Sequence, residues 1–204
     1  MIGEKCRDMN VDLYLCFIDY EKAFDRVQHE KLINILKNKG LDGRDINIIG
    51  NLYWRQRAVV RIEGEYTNDT EICRGVRQGC ILSPILFNIY SESIFEEALN
   101  ERTEGIVING QVINNIRYAD DSVLLATNLF DLQKLLNKVY ETSKSYGLNI
   151  NKSKTRYMIV SKKPILNTNL KIETESISRV SKYKYLGCWL NDQWNCSQEI
   201  LCRI

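Results

Sequence analysis

The chain reads as one α+β domain, and three observations lead there. Short apolar, strand-like runs are interleaved with longer segments of helical periodicity. No internal repeat, low-complexity tract or linker interrupts them, and the only prolines are Pro84 and Pro164. The 204 residues are 44% hydrophobic and 26% charged, ordinary globular material with enough apolar side chains for a core. No apolar run approaches the roughly 18 residues that span a bilayer. The N-terminal residues are charged and polar, unlike a secretory signal. Seven cysteines without a C-x-x-C pair and a single histidine, His29, argue against a zinc site or a disulfide framework. They point to reduced, core-filling thiols in an intracellular protein.

Each element follows from local signals. Met1 to Asn10 look like the end of a longer helix. Leu13 to Ile18 is an apolar strand. Val27 to Lys39 carries Leu32, Ile33, Ile35 and Leu36 at helical spacing and stops at Gly40. Arg44 to Trp54 is a shorter helix, and Ala58 to Ile62 and Thr70 to Cys73 read as strands around polar turns. After a loop bearing Gly75 and Gly79, Ser83 and Pro84 supply an N-cap and a first-turn proline for the longest helix, through about Asn100. Ile106 to Ile113 is a hairpin around Asn109-Gly110, the pair that a type I′ turn favours. Asn128, with Asp131 three residues on, opens a helix that runs to Gly147. Strands are expected at Thr155 to Val160 and Tyr183 to Leu190, and the chain stops at Ile204 within a charged, helix-like stretch.

The chemistry starts from Asp120-Asp121, at the break between two apolar runs. Successive strand residues point to opposite faces, so such neighbours converge only at a tight turn, which suggests a hairpin tip. An ordinary surface turn is the plainer reading, since Asp is a common turn residue. A second acidic segment shifts the balance, because the strand Leu13 to Ile18 runs straight into Asp19. If the two strands are neighbours in one sheet, Asp19 and Asp120 meet at its edge and can share divalent cations. Magnesium prefers a few carboxylates plus substrate phosphates, and a pair of such ions suits phosphoryl transfer.

Formal net charge is only +2, but it is unevenly spread. From Lys134 to Lys184 basic residues, among them Lys152, Lys154 and Arg156, greatly outnumber Glu141, Glu173 and Glu175. That asymmetry fits a phosphate-facing surface, although any one of these lysines can be a solvated helix residue.

Five stretches in order carry a resemblance. Phe17 to Asp25, Arg77 to Pro84, Tyr118-Ala119-Asp120-Asp121, Gly147 to Thr155 and Tyr185-Leu186-Gly187 resemble the successive palm motifs of reverse transcriptases from LINE-type, non-LTR retrotransposons. The resemblance covers nearly the whole chain. It implies a reverse-transcriptase palm, an antiparallel sheet packed against helices, forming one unit over residues 1–204. It implies an RNA-directed DNA polymerase that uses two Mg²⁺ or Mn²⁺ ions, an RNA template, a DNA primer and deoxynucleoside triphosphates.

Residue by residue, the resemblance makes Asp19 and Asp120 the metal ligands, with Asp121 supporting the same cluster. Phe24 becomes the gate beside the sugar. Gln78 is expected at the nucleotide or template strand, Lys154 at the pyrophosphate leaving group, and Leu186 and Gly187 in a turn against the primer end. Asp25 is taken as structural, and Lys152 as a solvated residue or a substitute for Lys154. Nothing before Asp19 matches the family's fingers, and no thumb follows. The expectation is therefore a truncated palm whose isolated activity is weak or absent, with a non-catalytic remnant that at most binds nucleic acid as the alternative. A telomerase-like or intron-encoded relative shares the chemistry but fits the Ala23-Phe24-Asp25 and Arg77-Gln78-Gly79-Cys80 stretches less well.

Overall fold

The computed structural model describes residues 2–53, 56–100, 103–163, 165, 166 and 168–193. In order the elements are α1 (Ile2–Asp8), β1 (Leu13–Ile18), a 3-10 turn at Ala23–Arg26, α2 (His29–Asn38) and α3 (Gly43–Tyr53). Four short strands follow, β2 (Gln56–Ala58), β3 (Arg61–Ile62), β4 (Glu65–Tyr66) and β5 (Thr70–Ile72). Next come α4 (Leu82–Leu99), β6 (Ile106–Ile108), β7 (Gln111–Ile113), β8 (Asn115–Tyr118), β9 (Asp121–Ala126) and α5 (Leu129–Ser145). The last are β10 (Arg156–Val160), β11 (Leu170–Ile172), β12 (Glu175–Arg179), β13 (Lys182–Tyr185) and β14 (Cys188–Asn191). Trp54, Pro164 and the helix-like stretch toward Ile204 lie outside the described residues. No described helix is long and apolar enough to cross a membrane.

Six strands form the central sheet in the order β11-β12-β10-β1-β9-β8, antiparallel except for the parallel pair β10 and β12. Strand β1 is in the middle because all six of its residues are apolar and buried, which only a strand covered on both faces requires. Tyr14, Cys16 and Ile18 point into a large core with α2, α4 and α5, whereas Leu13, Leu15 and Phe17 face a smaller one. That second core takes Cys6 of α1 and Ile106 of β6, and the β13–β14 hairpin leans on it through Tyr183, Tyr185 and Leu190.

The helices obey their sequence periods. In α5, Leu132, Leu135, Leu136 and Val139 form one buried stripe. Asn128 caps it: its Oδ1 accepts the Asp131 N–H at 2.9 Å while its Nδ2 donates to Asp131 Oδ2 at 2.7 Å. Asn109 and Gly110 both have positive φ, 52° and 78°, as a type I′ turn needs.

Several boundaries depart from the sequence expectation. Helix α4 starts at Leu82, so Ser83 lies inside its first turn and caps nothing. The Ser83 hydroxyl is instead drawn inward, donating to the Arg77 carbonyl at 2.5 Å and meeting the Tyr53 hydroxyl at 3.3 Å. The expected strand over 58–62 is split between β2 and β3, each pairing with a different partner in small exposed ribbons. Residues 183–190 fold back on themselves as β13 and β14, turning at Leu186 and Gly187. Strands β11 and β12 carry no expectation from sequence, because only Leu170, Ile172 and Ile177 are buried in them.

Candidate active site

Asp19 is the first residue past β1, and β9 pairs with β1 so that Ile18 stands opposite Ser122. The register therefore carries Asp19 to the sheet edge where β8 and β9 join, and Tyr118 pairs with Asp121 there, leaving Ala119 and Asp120 as the two turn residues. Ala119 has φ 55°, a left-handed conformation that is uncommon for a residue with a Cβ and that recurs at functional turns. Asp19, Asp120 and Asp121 thus emerge at one edge from strands more than 100 positions apart in sequence.

Their electrostatics reflect the crowding. Burial raises the Asp19 carboxyl above its ordinary range, Lys154 offsets part of that, and Asp120 adds to it. Asp121 is raised by burial, then by Asp120, then by Asp19. These like charges at a partly dry edge favour an added cation. Among the described residues no group of three or more carboxylate, imidazole or thiol side chains is placed to hold a metal ion. In general Mg²⁺ takes only one or two carboxylates from a protein, water or phosphate filling the rest of its shell.

The backbone of Asp19 is held from both sides by the segment before β10. Its N–H donates to the fully buried Thr155 Oγ1 at 3.4 Å, and its carbonyl accepts the Asn151 N–H at 2.7 Å. The neighbouring Glu21 N–H reaches the Asn149 carbonyl at 2.9 Å. Lys154, exposed on the same segment, acts on Asp19, whereas the Lys152 ammonium is engaged by Glu173 and Glu175, each at 2.8 Å. Of the two lysines, Lys154 is the one whose charge lowers Asp19.

On the opposite side sits the β13–β14 hairpin. Tyr183 stacks on Phe17 with ring centroids 4.0 Å apart, Tyr185 lies 5.9 Å from the same ring, and the Tyr185 hydroxyl donates to the Asp121 carbonyl at 3.5 Å. Burial, then the charge of Asp121, pushes the Tyr185 phenol up to about 12. Burial also raises Tyr183, with Asp19 and Asp121 contributing and Arg156 opposing. Leu186 and Gly187, with φ 49° and 82°, form the turn at the hairpin tip, where Leu186 is half exposed.

Phe24 lies in the 3-10 turn just after Asp19. Its ring stacks on the fully buried Phe87 at 4.5 Å, which fixes a partly exposed aromatic in one orientation. The loop over residues 75–79 is laid along that turn. The Val76 N–H donates to the Phe24 carbonyl at 2.8 Å, and the Gly75 N–H to that of Val27 at 2.8 Å. A Cβ on Gly75 would stand 3.0 Å from the Asp25 carbonyl oxygen and 3.1 Å from its Cα, at φ +96°. Gly75→Val is expected to destabilise the protein by about 2 kcal/mol through strain and backbone collision. Urea unfolding measures this, and an unchanged midpoint would mean that the loop does not rest on the turn. Gln78 is exposed on this loop, and Asp25 belongs to the turn, four positions before α2 opens at His29.

The sites expected from sequence therefore fall into three groups. Asp19, Asp120, Asp121 and Lys154 are linked electrostatically, Phe24 and Gln78 lie on one turn-and-loop unit, and Leu186 and Gly187 on the hairpin. Thr155, Asn151 and Tyr183 are the residues that sequence reasoning passed over. The alternation of Tyr183 with Tyr185 was the available signal for the last.

A sequence profile of the family described as reverse transcriptase (RNA-dependent DNA polymerase) matches residues 4–190. The transposon TX1 uncharacterized 149 kDa protein of Xenopus laevis is 31% identical over 206 residues, 96% of this chain and 15% of that protein. A Pol polyprotein from the type-1 retrotransposable element R2 of Nasonia vitripennis is also 31% identical, over 89% of this chain and 18% of its own length. The RNA-directed DNA polymerase from mobile element jockey of Drosophila funebris is 26% identical over 86% of this chain. The chain thus spans less than a fifth of the length of the first two relatives. Among solved structures, telomerase from Candida tropicalis superposes with a TM-score of 0.65 at 17% identity, covering 97% of this chain and 33% of that one. At that identity the likeness speaks for the fold alone.

Proposed function

The chain belongs to the reverse transcriptase family, and from that premise we propose that it carries the reaction centre of an RNA-directed DNA polymerase of a non-LTR retrotransposon. It transfers a deoxynucleotide to a primer 3′-hydroxyl, and residues 1–204 act as one palm unit. The observation that carries this reading is the meeting of Asp19 with Asp120 and Asp121 at one sheet edge, where Asp120 raises both of the others and Lys154 opposes the rise of Asp19.

Asp19 and Asp120 are the residues that would hold two Mg²⁺ or Mn²⁺ ions, and Asp121 tunes the field from β9. When bound, such ions supply charge stabilisation at the attacking and leaving oxygens of phosphoryl transfer. Lys154, whose charge lowers Asp19, is suited to neutralise, or protonate, the departing pyrophosphate. Phe24, pinned on Phe87, occupies the space that a 2′-hydroxyl needs and so selects deoxynucleotides. Gln78 lies on the adjoining loop, in reach of the incoming nucleotide or the template. The Leu186-Gly187 turn, hung on Phe17 through Tyr183, bears on the primer end.

The reading is tested by primer extension on a poly-ribonucleotide template with Mg²⁺ or Mn²⁺. Template-dependent deoxynucleotide addition is the expected outcome. Retention of the duplex with no addition in either metal would favour a palm that only binds nucleic acid. A second measurement concerns the sugar. Phe24→Val is expected to raise ribonucleotide incorporation, relative to deoxynucleotide, by about tenfold or more, the scale on which pocket volume discriminates. An unchanged ratio would assign Phe24 to packing alone.

A further inference from the structure

Lys152 lies in the segment that holds Asp19, yet its charge faces away from the carboxylates. Its ammonium is shared between Glu173 Oε2 and Glu175 Oε1, both at 2.8 Å, at the turn joining β11 to β12. Glu173 also receives Lys144 at 3.5 Å, and the ammonium groups of Lys144 and Lys152 stand 5.6 Å and 5.9 Å from the Tyr140 ring of α5. Hydrogen bonding to Lys152 holds the Glu173 carboxyl down at about 2. Single exposed ion pairs contribute little, but a lysine held by two carboxylates, with a second lysine and a phenol joining in, is a network.

This network anchors one side of a segment whose other side grips Asp19. Asn149 and Asn151 bond the backbone on either side of Tyr20, and Thr155 takes the Asp19 N–H. Within the segment, Asn151 Oδ1 accepts from Ser153 Oγ at 2.8 Å and from the Lys154 N–H at 3.2 Å. Lys152 therefore sits between the residue that fixes Asp19 and the residue that presents a cation to it. Its own anchorage is the turn between β11 and β12, the strand pair that joins the sheet through β10.

We infer that Lys152, clamped by Glu173 and Glu175, is a positioning residue that holds the segment 149–155 so that Lys154 and Asp19 keep their places for the incoming deoxynucleoside triphosphate. The inference rests on the polymerase reading for its kinetic consequence, but not for its structural one. It also takes Lys152 out of the phosphate-facing basic surface, since its ammonium is already occupied.

The test compares Lys152→Met and Glu173→Gln/Glu175→Gln with the wild-type chain, and with Lys152→Arg as the conservative variant. In both disrupting variants the KM for the deoxynucleotide is expected to rise about tenfold, short of the roughly hundredfold that a 1 Å misplacement can cost. Affinity for the primer–template stays level, and Lys152→Arg restores the lower KM. Backbone amides of Asn151, Lys154 and Thr155 exchange faster in the disrupting variants, which is read without catalysis. An unchanged KM with unchanged exchange would overturn the inference. So would a loss of duplex affinity in Lys152→Met that Glu173→Gln/Glu175→Gln does not share, because that pattern belongs to a phosphate contact. If the wild-type chain makes no DNA, the polymerase reading fails while the exchange rates still decide the clamp.

Discussion

Asp120→Asn is expected to lower metal-dependent DNA synthesis by roughly a thousandfold, the scale of losing several kcal/mol of charge stabilisation in the transition state. The substitution keeps shape and removes one charge from a turn residue that is exposed and follows Ala119 in its left-handed conformation. Asparagine is as good a turn former as aspartate, so the fold is expected to survive. Affinity for a primer–template is expected to hold, because the substitution takes away a negative charge and removes no cation that could meet a phosphate. Asp19→Asn is predicted to match it. Asp121→Asn should fall between these variants and wild type, since Asp121 stands beside the turn in β9 and its carboxyl responds to the charges of the other two. Single-turnover extension together with duplex binding separates chemistry from association. Equal turnover by the Asp120→Asn protein would remove the carboxylate edge from the mechanism.

Phe17→Ala is expected to cost about 3–5 kcal/mol of stability, a large share of the roughly 5–15 kcal/mol that a domain typically has. Phe17 is 1% exposed in the central strand and fills the smaller core beneath the hairpin. Removing its ring takes away the 4.0 Å stack with Tyr183 and the tilted contact with Tyr185. The consequence extends beyond stability, because the β13–β14 hairpin is tied to the carboxylate edge through the Tyr185 hydroxyl and the Asp121 carbonyl. Urea unfolding gives the global term. Amide exchange in residues 182–191 gives the local one, and it should rise by more than global destabilisation accounts for. A loss below about 1 kcal/mol, well under the usual range for such a truncation, would show that the hairpin does not depend on Phe17.

The basic stretch from Lys134 to Lys184 illustrates how far charge counting reaches. Lys134 pairs with Glu104 at 3.4 Å, Lys144 and Lys152 are drawn to Glu173, and Arg179 donates to the Ile165 carbonyl at 2.6 Å. Their partners include acidic residues far away in sequence, so a local excess of positive charge is partly spent within the fold. The charge of Lys154 lowers Asp19 and that of Arg156 lowers Tyr183.

Elements written in short-range patterns were legible in the chain itself. The continuous apolar run of β1, the stripe of α5 with its Asn128 cap, and the Asn109-Gly110 turn each depend on residues within a few positions of one another. The five ordered motifs likewise named the aspartates and Lys154. What only the tertiary structure decided was which strands flank β1, and therefore whether Asp19 and Asp120 share an edge at all. It also decided that Lys152 is held by Glu173 and Glu175, that Ser83 ties a loop inward, and that the polar strands β11 and β12 complete the sheet. Helix periods and turn residues are set by local sterics and hydrogen bonding. Strand order, and the ion pairs it brings together, are set by burying both faces of β1 at once, and no short stretch of sequence carries that requirement.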